Sequence, residues 1–93
     1  MKFVVSKNGD KKEFYKVGNI LLDEFFKLRA FQSFIVTYTN DFVIKSGVYV
    51  VNAKSLMGVF ALDLSKKVEL WSTNEDNTKL IEELKKYEIL MED

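Results

Sequence analysis

The sequence predicts an α+β fold: one antiparallel sheet with helices packed on one of its faces. Three observations carry this. Short runs of β-branched and aromatic residues are separated by Asn-Gly and Ser-Gly turn signals. Two longer stretches repeat apolar residues at i, i+3 and i+4. Read in order, the elements run β–β–α–β–β–α–β–α.

The first two strands are Lys2 to Lys7 and Lys11 to Val17, with Asn8-Gly9-Asp10 between them. Both central residues of a type I′ turn need positive φ, which Asn-Gly tolerates, so residues 1–17 read as an N-terminal hairpin. A competing reading makes 11–22 a helix, because Phe14, Val17, Leu21, Phe25 and Leu28 fall at helical spacing. Gly18-Asn19 breaks the pattern. From Glu24 to Thr37 an amphipathic helix follows, with Phe25, Leu28, Phe31, Phe34 and Ile35 on its inner stripe and Asp23 and Glu24 at its positive end. The β-branched Ile35-Val36-Thr37 run weakens its C-terminal end.

Asp41 to Lys45, Ser46-Gly47 and Val48 to Ala53 form a second hairpin. Ser55 then opens a short helix, Leu56 to Leu62, that carries no polar side chain. Lys66 to Ser72 alternates as a half-buried strand with Val68 and Leu70 inward. Thr73 to Asp76 starts a last helix over 75–88, with Leu80, Ile81, Leu84 and Tyr87 inward and Lys85 and Lys86 in its last turns.

Composition excludes more than it assigns. The 93 residues suit one domain, 47% hydrophobic and 30% charged. Formal net charge is zero, which argues against bulk attraction to nucleic acid or to an anionic membrane. Residues 1–20 hold five lysines against two acids and residues 73–93 three against seven, a modest asymmetry that solvated surfaces explain. There is no cysteine, no apolar run of membrane-spanning length and no secretory h-region, so a cytoplasmic home is expected. There is also no histidine, which removes Ser–His catalysis, imidazole-ligated metal and phosphohistidine. Asp10, Asp41, Asp63 and Asp76 show no ligand spacing, and the four glycines stand too far apart for a phosphate loop. No metal and no cofactor are expected.

The most informative stretch is Asn52-Ala53-Lys54-Ser55-Leu56-Met57-Gly58-Val59. Ser55 stands where an N-cap hydroxyl would accept a hydrogen bond from an opening amide of the helix. A helix this short cannot bury every apolar side chain from Leu56 to Leu62, and methionine suits adaptable contact surfaces. The stretch resembles the regulatory-serine segment of the HPr-like family, small phosphocarriers of the bacterial sugar phosphotransferase system and their catabolite-repression homologues. The resemblance extends more weakly from Lys27 to Tyr87. It implies an HPr-like open-faced β-sandwich, to which the N-terminal hairpin would add an edge strand. It further implies phosphorylation of Ser55 by an ATP-dependent HPr-type serine kinase, with Lys54 supporting the phosphate. Leu56, Met57 and Phe60 would then dock protein partners such as that kinase or a regulatory protein.

One part of the family's pattern is missing. Its phosphocarrier histidine, followed by Arg-Pro, would fall near Glu24, where the chain reads Leu22-Asp23-Glu24-Phe25-Phe26. The expectation is therefore a non-catalytic, protein-binding regulator, a monomer or weak homodimer, with Ser55 as its point of control. Two alternatives stand beside it: phosphotransfer through a carboxylate such as Glu24, and a purely structural module whose N-terminal strand pairs with another copy. On the physics of the residues alone Ser55 is a plain N-cap, and only the resemblance brings the phosphoacceptor role level with that reading; Val59 and Leu62 are core.

Overall fold

The computed structural model describes residues 2–7 and 10–91, with side chains from Lys11 to Met91. Its elements in chain order are β1 (Lys2–Lys7), β2 (Asp10–Ile20), α1 (Phe25–Ile35), β3 (Phe42–Ser46), β4 (Tyr49–Asn52), α2 (Leu56–Phe60), β5 (Val68–Ser72), α3 (Thr78–Lys86) and β6 (Leu90–Met91). All pairings are antiparallel, in the order β1-β2-β5-β3-β4, and β6 adds to the end of β2 through Asn19 and Ile20. This is the expected α+β open-faced sandwich, with the N-terminal hairpin adding its strand at the sheet edge. The turn residues Asn8 and Gly9 lie outside the described residues.

Strand alternation explains the core. In β3 and β5, Phe42, Ile44, Val68 and Leu70 take the same face, and all four are buried. Leu28, Phe31 and Ile35 of α1, Val59 of α2, and Leu80 and Leu84 of α3 complete one cluster with them. The opposite face holds a surprise. Trp71 and Phe14 are also buried, although neither belongs to that cluster. Trp71 donates its indole N–H to Glu69 Oε1 at 3.0 Å, and the Lys45 ammonium sits 5.2 Å from its ring centroid. The lysine stem and the glutamate shield an aromatic that simple alternation would leave to solvent.

Several boundaries differ from the sequence reading. The helical alternative for 11–22 is not adopted. Instead β2 runs past Val17 to Ile20, absorbing the irregularity as a bulge between Lys16 and Gly18. A side chain at Gly18 would meet Leu90 at 2.7 Å, so the glycine makes room for β6. Phe25 does not join the inner stripe of α1 and is 68% exposed; Lys27, Leu28, Phe31 and Ile35 form it. Tyr87 is more exposed than its place on the predicted stripe implies, yet its ring meets Phe34 at 4.9 Å and so ties α3 to α1.

The end of α3 explains β6, which sequence reading does not anticipate. Glu88 takes φ 58°, and the Ile89 amide reaches back to the Leu84 carbonyl at 2.9 Å. This left-handed closure is usually made by glycine. It sends Ile89 into the core and aligns Leu90 and Met91 against β2.

Candidate docking site

The site is the corner where β4 becomes α2. Asn52 turns the chain: its side-chain Oδ1 accepts from the Lys54 amide at 2.9 Å and its carbonyl from the Ser55 amide at 3.0 Å. Ala53 between them is fully buried and donates its amide to the Phe42 carbonyl at 3.0 Å. The corner is thereby pinned to β3 on one side, and Ser55, half-buried, opens the helix on the other.

Ser55 is the N-cap of α2, as the sequence suggests. Its backbone is extended (φ −91°, ψ 109°), and its hydroxyl accepts from the Gly58 amide at 3.3 Å. Its carbonyl takes the Val59 amide at 3.0 Å, the first bond of the helix. Gly58 suits this close geometry, since a Cβ there would lie 3.4 Å from both Ser55 Oγ and Val51 Cβ.

Lys54 is directed elsewhere. Its ammonium donates to the carbonyls of Tyr38 at 2.6 Å and Asn40 at 2.9 Å, and it lies 5.8 Å from the Phe42 ring centroid. It thus ties the loop after α1 to the serine corner. In this geometry its charge is spent on backbone oxygens rather than held beside the Ser55 hydroxyl.

The five residues of α2 divide by face. Val59 is fully buried and Leu62, just beyond the helix, packs against the core. Leu56, Met57 and Phe60 point away, 46%, 82% and 52% exposed. Three large apolar side chains are thus exposed on less than two turns of helix. It is a raised surface and not a pocket. An open hollow of about 460 Å³ lies elsewhere, lined by residues including Lys12, Tyr15, Asn40 and Thr73, with an ion pair from Lys12 to Asp41.

Beyond α2, the Asp63 carboxylate accepts from both the hydroxyl and the amide of Ser65 at 2.6 and 3.1 Å. Those bonds hold its pKa below the ordinary carboxylate value. The short helix is thus closed by a local turn on its C-terminal side.

The segment counted back to Glu24 leads into α1. Glu24 is the N-cap of α1, exposed, and its side chain makes no capping bond. The nearest cation, Lys27, is buried and pairs with Asp23 at 3.6 Å. Among the described residues no three acidic side chains converge to hold a metal ion, and no helix is long and apolar enough to cross a membrane.

Sequence reasoning missed other exposed apolar residues. Phe25 and Phe26 open α1, Val48 lies in the turn before β4, and Tyr49 and Val50 begin that strand. The periodicity places Phe25 inward, whereas in α1 Lys27 takes the inner face, paired with Asp23, and Phe25 lies outside. No protein-family model, curated protein or solved structure matches the chain.

Proposed function

We propose that the chain is a non-catalytic, HPr-like regulatory domain that docks protein partners through Leu56, Met57 and Phe60, with phosphorylation of Ser55 as its control. The observation that carries the reading is the pairing of an N-cap serine with three exposed apolar side chains on one short helix. The resemblance of Asn52 to Val59 to the family's serine segment supplies the phosphoacceptor role. The chemistry is coherent. A phosphate on Ser55 would sit at the opening amides of α2, where a dianion is favoured, and would place charge beside an apolar contact surface. Partners that bury Met57 would be repelled, and partners offering arginine beside an apolar patch would be recruited.

The test is incubation of the whole chain with an HPr-type serine kinase and ATP, followed by mass spectrometry. One phosphate, lost in Ser55→Ala, is the expected result. No added phosphate, or phosphate that persists in Ser55→Ala, refutes the proposal.

A further inference from the structure

We propose that β4 is a self-complementary sheet edge through which two copies of the chain join into one continuous sheet. This rests on backbone geometry and does not depend on phosphorylation of Ser55.

The turn before β4 sets the phase of its hydrogen bonds. Gly47 and Val48 are the two loop residues, with positive φ (60°) only at Gly47, the pattern of a type II′ hairpin. In a two-residue hairpin the closing pair, here Ser46 and Tyr49, exchanges backbone bonds. Alternation then turns the backbone groups of Tyr49 and Val51 toward β3, and those of Val50 and Asn52 away from it. Two bonds agree with this phase. Ala53 donates to Phe42 of β3, whereas the outward Asn52 carbonyl accepts from Ser55. Among the described residues nothing takes up the outward N–H or carbonyl of Val50.

An antiparallel strand centred on Val50 satisfies both groups, and β4 itself is such a strand. With a two-fold axis at Val50, each Val50 amide donates to the other's carbonyl. Tyr49 then faces Val51 of the second copy twice over, and Val48 faces Asn52. Tyr49 and Val51 share the sheet face of Ser46 and Ile44, so the symmetric pairing joins an aromatic to a β-branched residue, a favourable cross-strand combination. Val48, Tyr49 and Val50 are 91%, 66% and 48% exposed. From Ser46 to Ala53 there is no charged residue and no proline, so nothing opposes a like strand. The β3–β4 register also contains no bulge. Charge, proline and a bulge, three of the devices that blunt an edge, are therefore absent from the four residues of β4, whereas β1 on the opposite edge begins and ends in lysine.

Sedimentation of the intact chain over a concentration series reads the dimer. Val50→Glu is the discriminating variant. Within one chain it lies across from Lys45, which favours it, while across the two-fold axis two carboxylates meet. We expect a concentration-dependent dimer whose dissociation constant rises at least about tenfold in Val50→Glu, with far-ultraviolet circular dichroism and the denaturant midpoint of the monomer unchanged. Because the chain has no cysteine, Val50→Cys gives a second reading: mild oxidation should yield a disulfide-linked dimer faster than it does for Ser65→Cys, at an exposed position away from β4. A chain that stays monomeric at every concentration overturns the proposal, as does a dimer that Val50→Glu leaves intact.

Discussion

Lys54 and Ser55 are neighbours with separable roles, and single substitutions tell them apart. The Lys54 ammonium holds two backbone carbonyls of the loop after α1. Hydrogen bonds from a charged donor contribute about 1.5–3 kcal/mol, so Lys54→Ala should lower unfolding free energy by about that amount. Lys66→Ala, at an exposed position, should stay within about 0.5 kcal/mol in the same denaturant titration. Equal, small effects would mean that Lys54 is an ordinary surface lysine. At Ser55, removal of the capping oxygen in Ser55→Ala should lose about 0.5–2 kcal/mol. Ser55→Asp keeps a capping acceptor and adds charge at the positive helix end, so it should match the parent or gain up to about 1 kcal/mol. Clear unfolding of Ser55→Asp would contradict the cap geometry on which the site depends.

At the scale of elements, much of the fold was legible because hydrophobic period and turn chemistry agreed. Val68 and Leu70 alternate as a strand should, the Ser46-Gly47 turn sits where glycine takes positive φ, and Leu80 and Leu84 lie on the buried face of α3. The serine corner was legible for the same reason, since a serine before an apolar run is a cap signal. What sequence could not give depended on partners distant in the chain. Gly18 leaves room in β2 for Leu90 from the far end of the chain, and Trp71 is sheltered by Glu69 and Lys45. The direction taken by Lys54 needed carbonyls from residues 38 and 40.

Glu88 hid β6 because it occupies a left-handed position without being glycine. That conformation costs an L-residue about 1–2 kcal/mol, so Glu88→Gly should raise the melting temperature, reflecting a gain of up to about 1 kcal/mol. No gain would mean that Glu88 is not held at positive φ. The contact between the loop after α1 and α3 gives a pH signature. Tyr38 donates to Glu83 at 3.0 Å, and its pKa is pushed up to about 12, first by burial and then by that bond and the negative charge of Glu83. A raised folded pKa means the unfolded chain loses the proton first, so this contribution is complete below pH 10.0 and declines as pH rises toward about 12. Tyr38→Phe should flatten the decline in that window. An identical alkaline profile in the variant would place its origin elsewhere.

For the molecule as a whole, helices and the inner sheet face make one core, and α2 stands on it as an exposed apolar prominence headed by a serine. Phosphorylation and docking are proposed to share that prominence, so a kinase that modifies Ser55 must also touch its neighbours. The most direct measurement is the initial rate of phosphoryl transfer from ATP by an HPr-type serine kinase, as a function of chain concentration, for the parent and Met57→Asp. Met57 is 82% exposed, so the substitution should leave the fold intact, which Trp71 fluorescence checks. The expected result is transfer to Ser55 in the parent and a KM raised at least about tenfold in Met57→Asp, the loss of one well-packed apolar contact. Transfer to Ser55 at equal rates in both chains would contradict a shared docking surface, and no transfer to either would contradict the role of Ser55 itself.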